Sequence, residues 1–226
     1  MSLPPRAADG RLDARPTAPT PDPLPSGLLR LDVGTDVEVL LAVPPGEVSG
    51  LLVFFHGAGG TAADALRVVQ GPAAARGVAV LAPSSVAATW DLIAGGLGRD
   101  VAVLDAALAQ AFSRLPVRRT ALGGFSDGGS YALSLGVANG DLAEAVLAFS
   151  PGFAAAPGRY GRPWFFIAHG TEDRVLPVER CGRRVAADLA ADGYDVVYEE
   201  FTGGHVVPPE LVAAALDSWL GDGGQQ

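Results

Sequence analysis

The sequence predicts an α/β domain: a mostly parallel, twisted sheet flanked by helices on both faces, with no cap domain. Three observations point there. Strand-like and helix-like patterns alternate from residue 37 onward, as they do when crossover helices join parallel strands. Several strands are continuous apolar runs, such as 50–55 and 145–149, which suits strands covered on both faces. Hydrophobic residues make up 49% of the 226 and charged residues only 18%, enough to fill one such core.

The elements follow in order. Residues 1–27 hold seven of the eighteen prolines and few bulky apolar side chains, so a Pro-rich disordered leader is expected. A single domain is expected over 28–220. Within it, 37–43 and 50–55 read as strands, 62–76 as a helix and 78–82 as a strand. The clearest helix is 100–115, with Val101, Leu104, Leu108, Phe112 and Leu115 on one face. Residues 119–123 form a short apolar strand, and a small-residue helix starts near Ser130. Strands at 145–149 and 164–168, a helix at 179–192 and a strand at 194–201 come next. A helix over 208–220 with proline at its start closes the domain, and 221–226 is expected to be a flexible tail. Between 149 and 164 there is too little chain for a helical cap, so the site should be shallow and open.

Composition also narrows the function. The net charge is -9, every basic residue is arginine and no basic stripe occurs, which gives nucleic-acid binding no support. One cysteine, Cys181, cannot make an intramolecular disulfide. Its helical spacing with Val185 and Leu189 marks it as a core-facing residue. No stretch approaches transmembrane length and the N-terminus lacks a signal-peptide layout, so a cytoplasmic location is the expectation. Exposed apolar loop residues would be compatible with a homodimer. Three histidines, none at zinc-ligand spacing, leave a metal-dependent hydrolase a remote option, and no metal or organic cofactor is expected.

The most informative motif is Gly124-Phe125-Ser126-Asp127-Gly128-Gly129, a G-x-S-x-G sequence set between a strand and a helix. A serine there passes through a tight, strained turn that lifts its hydroxyl clear of the sheet edge. Glycines flank it because a Cβ would meet the neighbouring strand and helix. A serine hydroxyl also needs a base, and the base needs an orienting group. His205, in the loop between the last strand and the last helix, is the candidate base. Asp173, just past the strand at 164–168, is the candidate acid, with Glu172 its neighbouring rival. The order Ser126, Asp173, His205 is the one this strand–turn–helix architecture imposes. The glycine-rich loop His56-Gly57-Ala58-Gly59-Gly60 leaves a strand and can aim backbone amides at developing negative charge. Ala58 N–H and Asp127 N–H are the expected oxyanion donors. His56 is expected to brace this loop and His169 to be structural. No Lys-Ser/Thr follows the glycines, which excludes a nucleotide P-loop.

With these four motifs in one order, the chain resembles the phospholipase/carboxylesterase branch of the α/β-hydrolases, which includes acyl-protein thioesterases. The resemblance runs from about Leu51 to Trp219 and includes His169-Gly170-Thr171-Glu172-Asp173-Arg174-Val175-Leu176-Pro177 and Gly203-Gly204-His205. It implies an α/β-hydrolase fold and hydrolysis of carboxylic esters or thioesters through an acyl-serine, without metal or cofactor. Thioesterase-type members commonly carry glutamine after the nucleophile, where this chain has Asp127.

Trp90, Leu92 and Ile93 are candidates for an apolar wall of the substrate pocket, and Phe153 and Val206 are further ones. The function expected is a serine carboxylesterase acting on small-molecule esters with short- to medium-chain acyl groups. The alternatives are a thioesterase or lysophospholipase on a larger acyl substrate, and a catalytically silent binding protein of the same fold.

Overall fold

In a computed structural model of the chain, residues 6–18 and 24–221 are described. Eight strands form one sheet: β1 (Gly27–Arg30), β2 (Val39–Val43), β3 (Gly50–Phe55), β4 (Val78–Pro83), β5 (Thr120–Phe125), β6 (Ala145–Phe149), β7 (Trp164–Gly170) and β8 (Val196–Phe201). Their spatial order is β1-β2-β4-β3-β5-β6-β7-β8, with β2 antiparallel to both neighbours and every other pair parallel. Helices α1 (Ala62–Ala74), α2 (Asp91–Ala94), α3 (Arg99–Arg114), α4 (Asp127–Ala138) and α5 (Gly182–Ala191) lie between strands, and α6 (Pro209–Leu220) follows β8.

Alternation along the strands divides the core in two. On β3, Leu51, Val53 and Phe55 join the layer under α3, α4 and α5, while Leu52 and Phe54 join the layer under α1 and α6. Both faces are therefore covered, which is why the inner strands read as unbroken apolar runs. Between β6 and β7, residues 150–163 contain no helix. The carboxyl ends of β3, β5, β7 and β8 lie along one edge of the sheet, and the loops leaving them carry all four motifs. Among the described residues no helix is long and apolar enough to cross a membrane.

The expected leader needs correction. Residues 6–18 are packed, with Ala7 and Leu12 fully buried. Polar anchoring does what composition did not suggest. The Arg11 guanidinium grips Asp141 through two hydrogen bonds of 2.7 and 2.9 Å, contacts the Ala138 carbonyl and lies 3.9 Å from the centre of the Tyr160 ring. Asn139 accepts the Leu12 N–H through Oδ1 and donates to the Gly10 carbonyl through Nδ2. Residues 1–5 and 19–23 of the expected leader and the tail at 222–226 lie outside the described residues. Two short elements, β1 and α2, carry no sequence signal of their own. Cys181 stands just before α5 rather than within it; the residue is buried, and burial pushes its thiol up.

Candidate active site

The turn between β5 and α4 is built as its glycines require. Ser126 has φ 58° and ψ -120°, a conformation costly for any residue with a side chain. It is held by its own N–H, which donates to the Phe149 carbonyl at 2.9 Å, and by its carbonyl, which accepts from the Ser130 N–H at 3.0 Å. A Cβ on Gly128 would overlap the carbonyl oxygens of Phe55 and His56, and one on Gly124 would overlap the Gly128 carbonyl. Only glycine lets α4 start this close to β3.

The structure brings Ser126, His205 and Asp173 together. His205 Nε2 lies 2.9 Å from Ser126 Oγ, and His205 Nδ1 lies 2.6 Å from Asp173 Oδ2. With Nδ1–H donating to the carboxylate, Nε2 is left free to accept the serine proton. Asp173 also accepts the Val175 and Leu176 amides on Oδ1. Burial works to raise its carboxyl, but the bonds from His205, Leu176 and Val175 outweigh burial and hold it below the usual carboxylate range. Its neighbour Glu172 is exposed and gives only its amide, to the Gly203 carbonyl. His169 is buried behind the acid, where its Nε2–H donates to the Leu176 carbonyl at 2.8 Å and lies 3.3 Å from Asp173 Oδ2.

The glycine loop after β3 flanks the serine. A Cβ on Gly57 would sit 3.4 Å from Ser126 Cβ. Among the described residues, neither the Ala58 nor the Asp127 N–H finds an acceptor in the protein, and Asp127 is the first residue of α4, where amides are unpaired by construction of the helix. The Asp127 side chain turns away to accept the Thr89 hydroxyl at 2.7 Å.

His56 braces this loop. Its Nε2 accepts the Ser85 N–H at 3.0 Å, so Nδ1 carries the proton and donates to the Gly57 carbonyl at 2.6 Å. Burial pulls its pKa below the ordinary histidine value, with the Gly57 bond opposing. The neutral ring, in one tautomer, fixes the loop.

Trp90 belongs to the same bracing. It is buried, stacks on Tyr131 at 4.9 Å and donates from Nε1 to the His56 carbonyl at 2.9 Å. It is not a pocket wall, which corrects the sequence expectation. The reason is long-range: segment 84–90 folds down over the loop at 56–60, and its indole fills the layer under α4. Leu92 and Ile93 are half-buried on α2 and pack against that same layer, while Phe153 and Val206 are exposed. None of the five lines the cavity beside the serine. That cavity, about 420 Å³ and open to solvent, is bounded by Phe54, Ala65, Val68, Phe125 and the loop at 56–60. Phe54, Ala65 and Val68 carry no mark in the sequence that sets them apart from core residues.

Segment 84–90 is itself clasped. Asp100 accepts the Val86 and Asp91 amides at 2.7 Å each, and Asp91 in return accepts the Gly98 and Asp100 amides. Burial, aided by the nearby Asp91 charge, pushes the Asp100 carboxyl up to about 6 against the pull of the two amides. A carboxyl that holds its proton more tightly when folded stabilises the protein at low pH, and this contribution is lost as pH rises from the unfolded value, 3.8, through about 6. Asp100→Asn should therefore change the stability gap between variant and wild type by about 1 kcal/mol between pH 7 and pH 5. Urea melts at the two pH values measure it; a gap independent of pH would refute the titration.

Comparison with known proteins supplies the fold. No protein-family model matches the chain, and no curated protein matches it in sequence. Solved structures do. Esterase 2 of the planctomycete Thermogutta terrifontis, seen with butyrate bound, is 20% identical with a TM-score of 0.67, over 88% of this chain and 95% of that one. The esterase PE8 is 22% identical with a TM-score of 0.67, over 82% of this chain and all of that one. Acyl-protein thioesterase 2 of Zea mays is 16% identical with a TM-score of 0.62, over 81% and 99%. The chain has the fold these proteins share, the α/β-hydrolase fold.

Proposed function

We propose that this α/β-hydrolase-fold chain is a serine carboxylesterase acting on short- to medium-chain carboxylic esters. One observation carries it: the unbroken hydrogen-bonded series Ser126 Oγ, His205 Nε2, His205 Nδ1, Asp173 Oδ2, at 2.9 and 2.6 Å.

In the proposed reaction His205 Nε2 takes the Ser126 proton as Oγ attacks the acyl carbonyl. Asp173 keeps the imidazole in the tautomer that allows this and stabilises the imidazolium that results. The Ala58 and Asp127 amides receive the oxyanion, each worth about 10²–10³ in turnover where such donors have been removed. His205 returns the proton to the leaving alcohol, and the acyl group remains on Ser126. Water, deprotonated by the same nitrogen, then releases the acid. The Asp127 carboxylate, turned to Thr89, does not compete for the oxyanion site. Butyrate in the Thermogutta esterase is in keeping with a small acyl group.

The test is hydrolysis of p-nitrophenyl esters from acetate to laurate, with fluorophosphonate labelling of the intact protein. Activity peaking on short to medium acyls and one label on Ser126 are expected. Folded protein that takes no label would refute the serine mechanism and favour a binding role.

A further inference from the structure

Segment 85–91 touches both elements that supply oxyanion donors in the proposed reaction. On one side it holds the glycine loop, which carries the Ala58 amide. The Ser85 N–H donates to His56 Nε2 at 3.0 Å, and the Trp90 indole N–H donates to the His56 carbonyl at 2.9 Å. The Ala88 carbonyl accepts the Gly59 N–H at 2.8 Å. On the other side the Thr89 hydroxyl donates to Asp127 Oδ2 at 2.7 Å, on the residue that carries the second amide. One short stretch thus ties the loop after β3 to the start of α4.

The stretch is itself closed by a single carboxylate. Asp100, the second residue of α3, is buried. Its Oδ1 accepts the Val86 N–H and its Oδ2 the Asp91 N–H, each at 2.7 Å. Val86 and Asp91 flank Ala88, Thr89 and Trp90, so these two bonds fix both ends of the part that makes the contacts. Asp91 Oδ2 holds the carboxylate in place by accepting the Asp100 and Gly98 amides at 2.9 and 2.8 Å. Burying a carboxylate is costly, and an apolar side chain would pack there without that cost. It could not hold two amides at once.

We propose that segment 85–91 sets the spacing between the Ala58 and Asp127 amides, and that Asp100 is the positioning residue that keeps it closed. The proposal rests on the esterase reading above and deepens it. An oxyanion needs both donors within about 2.7–3.1 Å of one atom, so their separation matters as much as their presence. Asp100 acts through the segment, since its oxygens are taken up by the Val86 and Asp91 amides.

The experiment is run at pH 8, where wild-type Asp100 is ionised, on p-nitrophenyl butyrate. Asp100→Asn leaves one acceptor oxygen for two amides. A misplacement of about 1 Å costs about 10²-fold, so kcat and kcat/KM should fall equally, by about 10- to 10²-fold. Binding of butylboronic acid should weaken by a similar factor, because its tetrahedral adduct on Ser126 uses the same two amides. Thr89→Val cuts the segment from α4 by a separate route, at a half-buried position, and should give the same pattern. Thr89→Ser keeps the hydroxyl and should restore wild-type values.

If Asp100→Asn does not fold, the Thr89 pair decides: parallel loss with rescue by serine supports the segment's role, and unchanged kinetics overturn it. Folded Asp100→Asn with wild-type kcat, or with only a raised KM and unchanged boronic acid affinity, would overturn the proposal and leave the esterase reading standing. Wild-type protein that hydrolyses no ester would overturn both.

Discussion

Ser126→Ala is expected to lower kcat on p-nitrophenyl butyrate by about 10⁴-fold or more and to leave the fold in place. The size follows from what is lost. Without Oγ no acyl-serine can form, and the oxyanion amides and His205 can only assist direct attack by water. The fold survives because the backbone at 126 is held by the Phe149 and Ser130 bonds, neither of which uses the side chain. A second comparison isolates the strain. At φ 58° and ψ -120° any Cβ is costly, by about 1–3 kcal/mol, and alanine keeps the Cβ while glycine drops it. Ser126→Gly should therefore melt higher than Ser126→Ala, with turnover equally low. Equal melting temperatures would mean the turn is less strained than its angles imply. Residual turnover within about 10-fold of wild type would remove Ser126 from the mechanism.

Gly128→Ala should have the largest effect on stability, a loss of about 3 kcal/mol or more. The added methyl meets the Phe55 and His56 carbonyls, which are main-chain atoms at the end of β3 and have no rotamer by which to yield. Relief requires α4 to withdraw from β3. That motion separates Ser126, at the start of α4, from the loop at 56–60, so turnover should fall by about 10² even in whatever fraction folds. Thermal melts and burst-corrected kcat on the same preparation measure both effects. Wild-type melting and turnover would show that the helix start tolerates more room than the contact allows.

The contrast between what could be read beforehand and what could not has a physical basis. Ser126 and its flanking glycines were legible because a strained turn is written in adjacent residues. The inner strands were legible because burial on both faces leaves an unbroken apolar run, as in β3 and β6. His205 and Asp173 followed from chain order once the elements were placed, and the structure seats both within hydrogen-bonding reach of one another. The open cavity beside the glycine loop was not legible. Its walls come from β3, α1 and the end of β5, and Phe54, Ala65 and Val68 look in sequence like any core residue. Trp90 misled for the opposite reason: an aromatic after a strand end suggests a binding wall, yet the Asp91–Asp100 clasp turns its segment inward. The edge strand β1 was missed because four mostly exposed residues carry no burial pattern.

The contacts of Arg11 and Leu12 with residues 138–141 span about 130 positions of chain. During vectorial synthesis these residues are made before α4 and must wait for its far end before they can dock. A loop of that length closes slowly and late relative to local structure. The segment around Arg11 and Leu12 thus behaves as a latch thrown after the door has shut. What it bolts is the last turn of the helix that Ser126 caps at the other end.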